Sequence, residues 1–251
     1  MTGSKISVIT DDLCAADIVK SHYRTASVFK KYGIEYCCGG KWPLKLVCET
    51  QSIDCEKLMN ELQEVSRLVF VPASLPYNEW KTEFLTDYII NVHHRYLRDS
   101  LPQIRDQISR FVDEHKKKYP QLAELDKEFT KLEKSVSDSI TNEEDVIFPY
   151  IRQISHAYES KESYTDLLIR TLKRPTGNIF QPGRNVISTQ LQRIRDITDN
   201  YTPPESGCTS HRLSFSLLRE LDSDLEHHMY LENNILFPRV VKMEKELLER
   251  Q

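Results

Sequence analysis

Two stretches of the chain spell nearly the same thing, Glu143-Glu144-Asp145-Val146-Ile147-Phe148-Pro149 and Glu232-Asn233-Asn234-Ile235-Leu236-Phe237-Pro238. Each sets a glutamate within an apolar helical stripe. The first stripe runs Leu125, Phe129, Leu132, Val136, Glu143, Val146, and the second Leu218, Leu221, Leu225, His228, Glu232, Ile235. The three-and-four spacing is that of amphipathic helices. A carboxylate inside such a stripe must stay protonated or find a cation, because an unpaired buried charge is too costly. Two of them on two helices point to a metal site in the core of a helical bundle, and His228 stands one turn before Glu232 on the same face.

Composition narrows the fold to an all-α class. Hydrophobic residues make up 39% and charged residues 29% of 251, a balance that suits a helical globular protein and not a disordered one. Only 7 glycines argue against a sheet-rich chain with many tight turns. The net charge of −4 and the lack of a basic block exclude nucleic acid as a main partner. No apolar run has the length of a membrane span, so no membrane association is expected. The start, Met1 to Asp12, does not read as a signal peptide, which predicts a cytoplasmic protein. Six irregularly spaced cysteines do not form a secreted disulfide framework and are read as thiols.

The chain divides at Val71-Pro72-Ala73-Ser74-Leu75-Pro76-Tyr77-Asn78, which is proline-containing and aperiodic. Residues 1–70 read as a small helical domain, 71–79 as a linker and 80–251 as a bundle of four long antiparallel helices. In the small domain, helical patterns cover Asp12 to Tyr23, Arg24 to Tyr32 and Asp54 to Leu68, with a short piece from Pro43 to Thr50 and Gly33 placed as a C-cap. The bundle helices are predicted from Asn78 onward, over Pro120–Tyr150, Asn185–Thr198 and Ser210–Glu246, with a short additional helix at Ser160–Lys173. Pro102 predicts a kink or restart in the first, and Pro238 a bend in the last.

Within that bundle, His228 and Glu232 offer an imidazole nitrogen and a carboxylate one turn apart, a pair able to share or bridge a metal. His94 lies on the apolar stripe Ile90, His94, Leu97, Leu101, Ile104, Ile108 and Phe111, which makes it a candidate ligand, whereas His93 is expected to point elsewhere. His115 continues the stripe, but 21 residues of unbroken helix span about 31 Å, too far to share a site with His94.

Cys37 and Cys38 are adjacent and followed by Gly39 and Gly40. Neighbouring Cα atoms lie about 3.8 Å apart, so a bridge between these two thiols would be strained. The residues alone allow either an exposed thiol site or two small buried hydrophobes in a tight turn. Cys14, Cys48, Cys55 and Cys208 read as core.

The carboxy-terminal part resembles a hemerythrin-like domain, an up-down four-helix bundle. Its pairing with Gly33-Ile34-Glu35-Tyr36-Cys37-Cys38-Gly39-Gly40 resembles the Ric family, proteins for repair of iron centres, over nearly the whole chain. The resemblance implies non-haem iron, as a di-iron centre with histidines and two bridging glutamates, and a part in restoring iron–sulfur clusters damaged by nitric oxide or oxidants. The matching positions are His94, Glu143, His228 and Glu232 for metal, with Cys37 and Cys38 as a thiol site for iron transfer. Damaged iron–sulfur proteins or cluster-assembly proteins are the implied partners, and homodimer formation stays open.

Two positions depart from the family pattern. Ser139 stands where a histidine is expected four residues before Glu143, and Gly183-Arg184 where a Glu-His pair should open the third bundle helix. Glu144, Asp145, His156 or water are the available substitutes, and a single-iron, weak or empty site is the alternative to a di-iron one. The competing functions are a nitric oxide or peroxide reductase at the iron, and a degenerate member serving as a binding scaffold. An oxygen carrier is disfavoured, since the chain lacks the histidine-rich set.

Overall fold

The structure, a computed structural model, describes residues 9–36, 42–66, 75–160 and 184–249, with side chains from residue 186 onward in the last segment. These residues are helical, with no β-strand among them and one isolated bridge, between Cys14 and Pro43. The chain splits into two compact units, Met1–Pro72 with Tyr201–Leu218, and Ala73–Asn200 with Arg219–Gln251.

The described residues of the first unit include α1 (Ala15–Ser21), α2 (Thr25–Lys31), α3 (Leu44–Gln51) and α4 (Cys55–Ser66). Phe29, Leu44, Leu58 and Leu62 are its fully buried centre, joined by Leu213 from the Tyr201–Leu218 segment. Gly33 closes α2 as expected. At φ +67° it is left-handed, its N–H donates to the Lys30 carbonyl, and the Ile34 N–H donates to that of Phe29 at 2.9 Å. This double bond satisfies carbonyls that the last turn would leave open. At the start of α4, Asp54 accepts the Lys57 N–H at 3.1 Å, a side-chain cap for an exposed backbone donor. The predicted domain contained only residues up to 70; the Tyr201–Leu218 segment packs here because its apolar side chains fill this core.

The second unit is built from long helices interrupted by π turns. The first rod is α5 (Thr82–Tyr88), a π turn (Ile89–His94) and α6 (Arg95–His115). The second is α7 (Leu122–Asn142), a π turn (Glu143–Ile147) and α8 (Phe148–Ser160). A shorter helix, α9 (Arg184–Ile197), packs on α7. The last rod is α10 (Thr209–Leu231), a π turn (Glu232–Leu236) and α11 (Phe237–Glu249), and the unit boundary falls within α10. The Ser160–Lys173 helix expected from sequence lies outside the described residues beyond Ser160.

Periodic apolar residues hold the rods together. Leu125, Phe129, Leu132, Val136 and Ile140 of α7 are buried with Leu101, Ile104, Ile108 and Phe111 of α6. Each such side chain contributes about 1.5–3 kcal/mol on burial. Arg105 of α6 also reaches Asp126 at 2.8 Å and Glu133 at 3.2 Å on α7. Pro102 does not restart the first helix; α6 runs through it.

The repeated Glu…Phe-Pro motif has a backbone meaning beyond its carboxylate. Proline inside an α-helix clashes with the carbonyl four residues earlier. For Pro149 and Pro238 those residues are Asp145 and Asn234, and both sit in π turns. The wider turn makes room for the ring, so neither proline ends its rod. A π turn also shifts the buried face by inserting a residue, and such turns occur often at functional sites. Consecutive buried residues follow at each of them: His93 and His94, Ile147 and Phe148, and the run Ile235 to Phe237.

Candidate metal centre

His94 and the two glutamates each lie in one of the three π turns. His94 is the last residue of the first turn, Glu143 the first of the second and Glu232 the first of the third. His228 sits one turn before Glu232 on α10. All four are buried, at 0%, 4%, 2% and 4% exposure for His94, Glu143, Glu232 and His228. Ligand atoms of His94, Glu143 and His228 lie within 4.8 Å of one another, a group that could hold a metal ion.

The pairwise geometry is tight. His94 Nε2 lies 3.2 Å from His228 Nε2 and 3.1 Å from Glu143 Oε2. His228 Nε2 lies 3.6 Å from both Glu143 Oε2 and Glu232 Oε1. Despite these approaches, Glu143 Oε2 and Glu232 Oε1 are buried without a hydrogen-bond partner. Leaving a buried carboxylate oxygen unsatisfied costs several times what an average hydrogen bond returns. Oxygens that face ring nitrogens without hydrogen-bond alignment suit a cation between them, and imidazole with carboxylate suits a first-row transition metal. The donor set therefore fits a metal. A small cavity of ≈ 10 Å³ beside Glu143, His228 and Glu232, lined also by Ser139 and Met229, has room for about one water-sized group.

Outer residues fix these donors. His94 Nδ1 is 2.7 Å from Glu144 Oε1, and Arg98 holds the other oxygen of Glu144 at 2.7 Å. A carboxylate so anchored only accepts, so Nδ1 carries the proton and the Nε2 lone pair faces the site. Phe148, the aromatic of the first Phe-Pro, stacks on the His94 ring with centroids 5.4 Å apart. Ser139 donates its hydroxyl to Glu143 Oε1 at 2.7 Å.

Electrostatics follow from this arrangement. Burial pushes the Glu143 carboxyl up, but His94, His228 and the Ser139 hydroxyl together hold it below the usual carboxylate range. Burial pushes the His228 imidazole down, yet the adjacent Glu232, with Glu143 and Asp224, raises it to about 9. In the metal-free protein His228 is thus a cation at neutral pH, donating toward the lone pair of His94 Nε2.

The structure thus brings together His94, Glu143, His228 and Glu232. Among the possible substitutes, Glu144 reaches the site through His94, whereas Asp145 and His156 are exposed. His115 bonds the Phe111 carbonyl at the far end of α6. Arg184 opens α9, but its side chain lies outside the described residues, as do Cys37, Cys38, Gly39 and Gly40. His93 is a correction to the sequence reading. Instead of pointing elsewhere it is buried at 3%, its Nδ1 is 2.9 Å from Asp224 Oδ1, and its ring stacks on His228 at 5.8 Å. Both histidines lie in the π turn Ile89–His94, where both are buried. Asp224, one turn before His228, carried the sequence signal for this pairing.

Comparison with known proteins covers both parts of the chain. Residues 14–66 match the ScdA_N family, described as a domain of unknown function (DUF542). The iron-sulfur cluster repair protein YtfE of Enterobacter sp. (strain 638) is 29% identical over 229 residues, 90% of this chain and 94% of that protein. The proteins of the same name from Escherichia coli O8 (strain IAI1) and Shigella boydii serotype 4 (strain Sb227) are each 28% identical over 218 residues, 87% of this chain and 91% of theirs. Similarity to iron-sulfur cluster repair proteins thus extends to both sides of the linker, and the second unit carries the paired buried glutamates.

Proposed function

We propose that the protein takes part in repair of iron–sulfur clusters damaged by nitrosative or oxidative stress, and that it does so as a non-haem iron-binding protein. The observation that carries this is the convergence of His94, Glu143 and His228 within 4.8 Å in the core of a chain similar throughout to iron-sulfur cluster repair proteins. Each residue has a definable task. Glu144 and Arg98 lock the His94 ring so that Nε2 faces inward. Ser139 engages one oxygen of Glu143 and leaves the other for the ion. Glu232 stands opposite His228 as a further anionic donor. Bound iron would supply a Lewis acid with accessible one-electron chemistry and an ion for transfer.

The family resemblance implies a di-iron centre, and the grouped donors His94, Glu143 and His228 support at least one iron per chain. Cys37 and Cys38 are assigned to thiol transfer on the family resemblance, since thiolates are soft ligands able to accept or release iron. Damaged iron–sulfur proteins or cluster-assembly proteins are the partners, in the cytoplasm. Among the described residues no helix is long and apolar enough to cross a membrane.

The test is direct. Anaerobically purified protein should carry iron and restore activity to a cluster-containing enzyme inactivated by nitric oxide, and Glu232→Ala should lose both properties. Wild-type protein that carries no iron and takes up no ferrous ion would overturn the assignment.

A further inference from the structure

Beside the candidate metal centre lies a connected set of aromatic rings that the proposed function does not use. His93, stacked on His228 at 5.8 Å, meets Tyr88 at 5.6 Å and His227 at 5.0 Å. Tyr88 and His227 both reach Tyr77, at 5.8 and 5.4 Å, and Tyr77 meets Trp80 at 4.8 Å. Trp80 also contacts Tyr88 directly at 5.1 Å. All of these lie within the contact range of aromatic pairs. Two routes therefore run from a ring touching the site to Trp80, which is half-buried.

The outer end of this path is held in place. Arg239 is partly buried, and no acidic partner accompanies it among the described residues. It donates instead to three loop carbonyls, those of Trp80, of Tyr77 at 3.4 Å and of Asn78 at 2.9 Å. Burial lowers the basicity of this guanidinium. A cation committed to these carbonyls fixes the loop that carries Tyr77 and Trp80.

We infer that Tyr77, Trp80 and Tyr88, coupled through His93 and His227, form a one-electron relay that carries oxidising equivalents from the metal centre to the surface. The inference rests on the iron reading of the site. With hydrogen peroxide as the oxidant, conversion to two waters takes up two electrons and two protons: bound ferrous iron would give one electron and Trp80 the other, with the Trp80 indole proton released to solvent and the protons for water drawn from solvent. A surface reductant of the ascorbate class then returns an electron and a proton to Trp80. Oxidising equivalents would thereby leave the pocket before attacking the ligands.

The experiment uses the full chain loaded with ferrous iron, with iron counted, mixed with hydrogen peroxide and frozen for electron paramagnetic resonance. The expected result is an organic radical whose splitting changes when the protein carries ring-deuterated tryptophan. It should be lost as a tryptophan signal in Trp80→Phe, retained in Trp42→Phe and discharged by ascorbate. Tyr77→Phe with Tyr88→Phe should reduce its yield at unchanged iron content. Iron-loaded wild type with no organic radical, or a radical insensitive to both labelling and Trp80→Phe, overturns the relay and leaves the iron reading intact. Failure to load iron overturns both.

Discussion

His94 Nε2 and His228 Nε2 face each other at 3.2 Å although 134 residues separate them in sequence. With Nδ1 of His94 donating to Glu144, its Nε2 can only accept, so the metal-free protein places a proton of His228 where a metal ion would bind. Proton and metal therefore compete for one position, and Glu143 and Glu232 face either occupant.

This competition predicts opposite pH dependences for the two forms. The His228 value is raised from 6.5 to about 9, so its contribution to apoprotein stability is fully present below about 6.5 and disappears as pH rises through about 9. Thermal melting of the apoprotein should fall across that window, and His228→Gln should flatten the fall. Metal affinity should rise over the same range, by about tenfold per pH unit for one displaced proton. Parallel melting curves with and without metal would contradict this.

Glu144 should matter for metal without touching it. Partners that orient a ligating histidine typically account for about 10–100-fold in affinity. Glu144→Gln keeps the shape but lets the amide present a donor to His94 Nδ1, which favours the wrong tautomer. Isothermal titration with ferrous or manganous ion should show a loss of about that size, while far-ultraviolet circular dichroism stays unchanged.

Much of this site was legible because buried glutamates at helical spacing admit few explanations. The helix order, the Gly33 cap and the grouping of His94, Glu143, His228 and Glu232 all follow from periodicity and side-chain chemistry. Positions that depend on a change of helical period were not legible. A steady three-and-four count excludes His93 from the face that bears His94, and marks Pro102 and Pro238 as breaks. The helical register absorbs both prolines and turns His93 inward. Nor does local sequence show why Leu213 belongs with Phe29 and Leu58, since the early part of α10 has the same amphipathic pattern as the rest.

Ser139, where the family resemblance expects a histidine, is a position at which a further donor can be introduced. Its hydroxyl bonds Glu143 Oε1 at 2.7 Å and lines the small cavity at the site, so an imidazole placed there starts within reach of the glutamates. Ser139→His should tighten metal binding and raise the metal content per chain. Ser139 is only partly buried, so crowding should cost at most about 1–3 kcal/mol of apoprotein stability. An unchanged stoichiometry and affinity would mean that the four donors already complete the site.

The shared core of the first unit predicts a penalty for truncation. A chain beginning at Asn78 keeps every candidate metal residue but strips Phe29, Leu44, Leu58 and Leu62 from around Leu213. Its second unit should still bind metal, while the exposed segment should bind a hydrophobic dye and promote self-association. Leu213→Glu in the truncated chain should suppress both effects, because no core remains there to be disrupted. A truncated chain that stays monomeric and dye-free would show that Tyr201–Leu218 finds other cover.

Separate tasks for the two units predict separable losses. The cysteine pair lies before the linker and the carboxylates after it, and the pair itself is outside the described residues. Cys37→Ser with Cys38→Ser removes the soft donors while leaving His94, Glu143, His228 and Glu232 in place. A serine hydroxyl is nearly the size of a thiol but is a poor ligand for iron at neutral pH. The full-length double variant should therefore hold as much iron as wild type and melt at nearly the same temperature. It should fail to restore a cluster-containing enzyme damaged by nitric oxide, measured as recovered activity against time at equal iron. Wild-type recovery rates would place delivery in the second unit alone, and a large fall in melting temperature would make the pair a packing feature of the first.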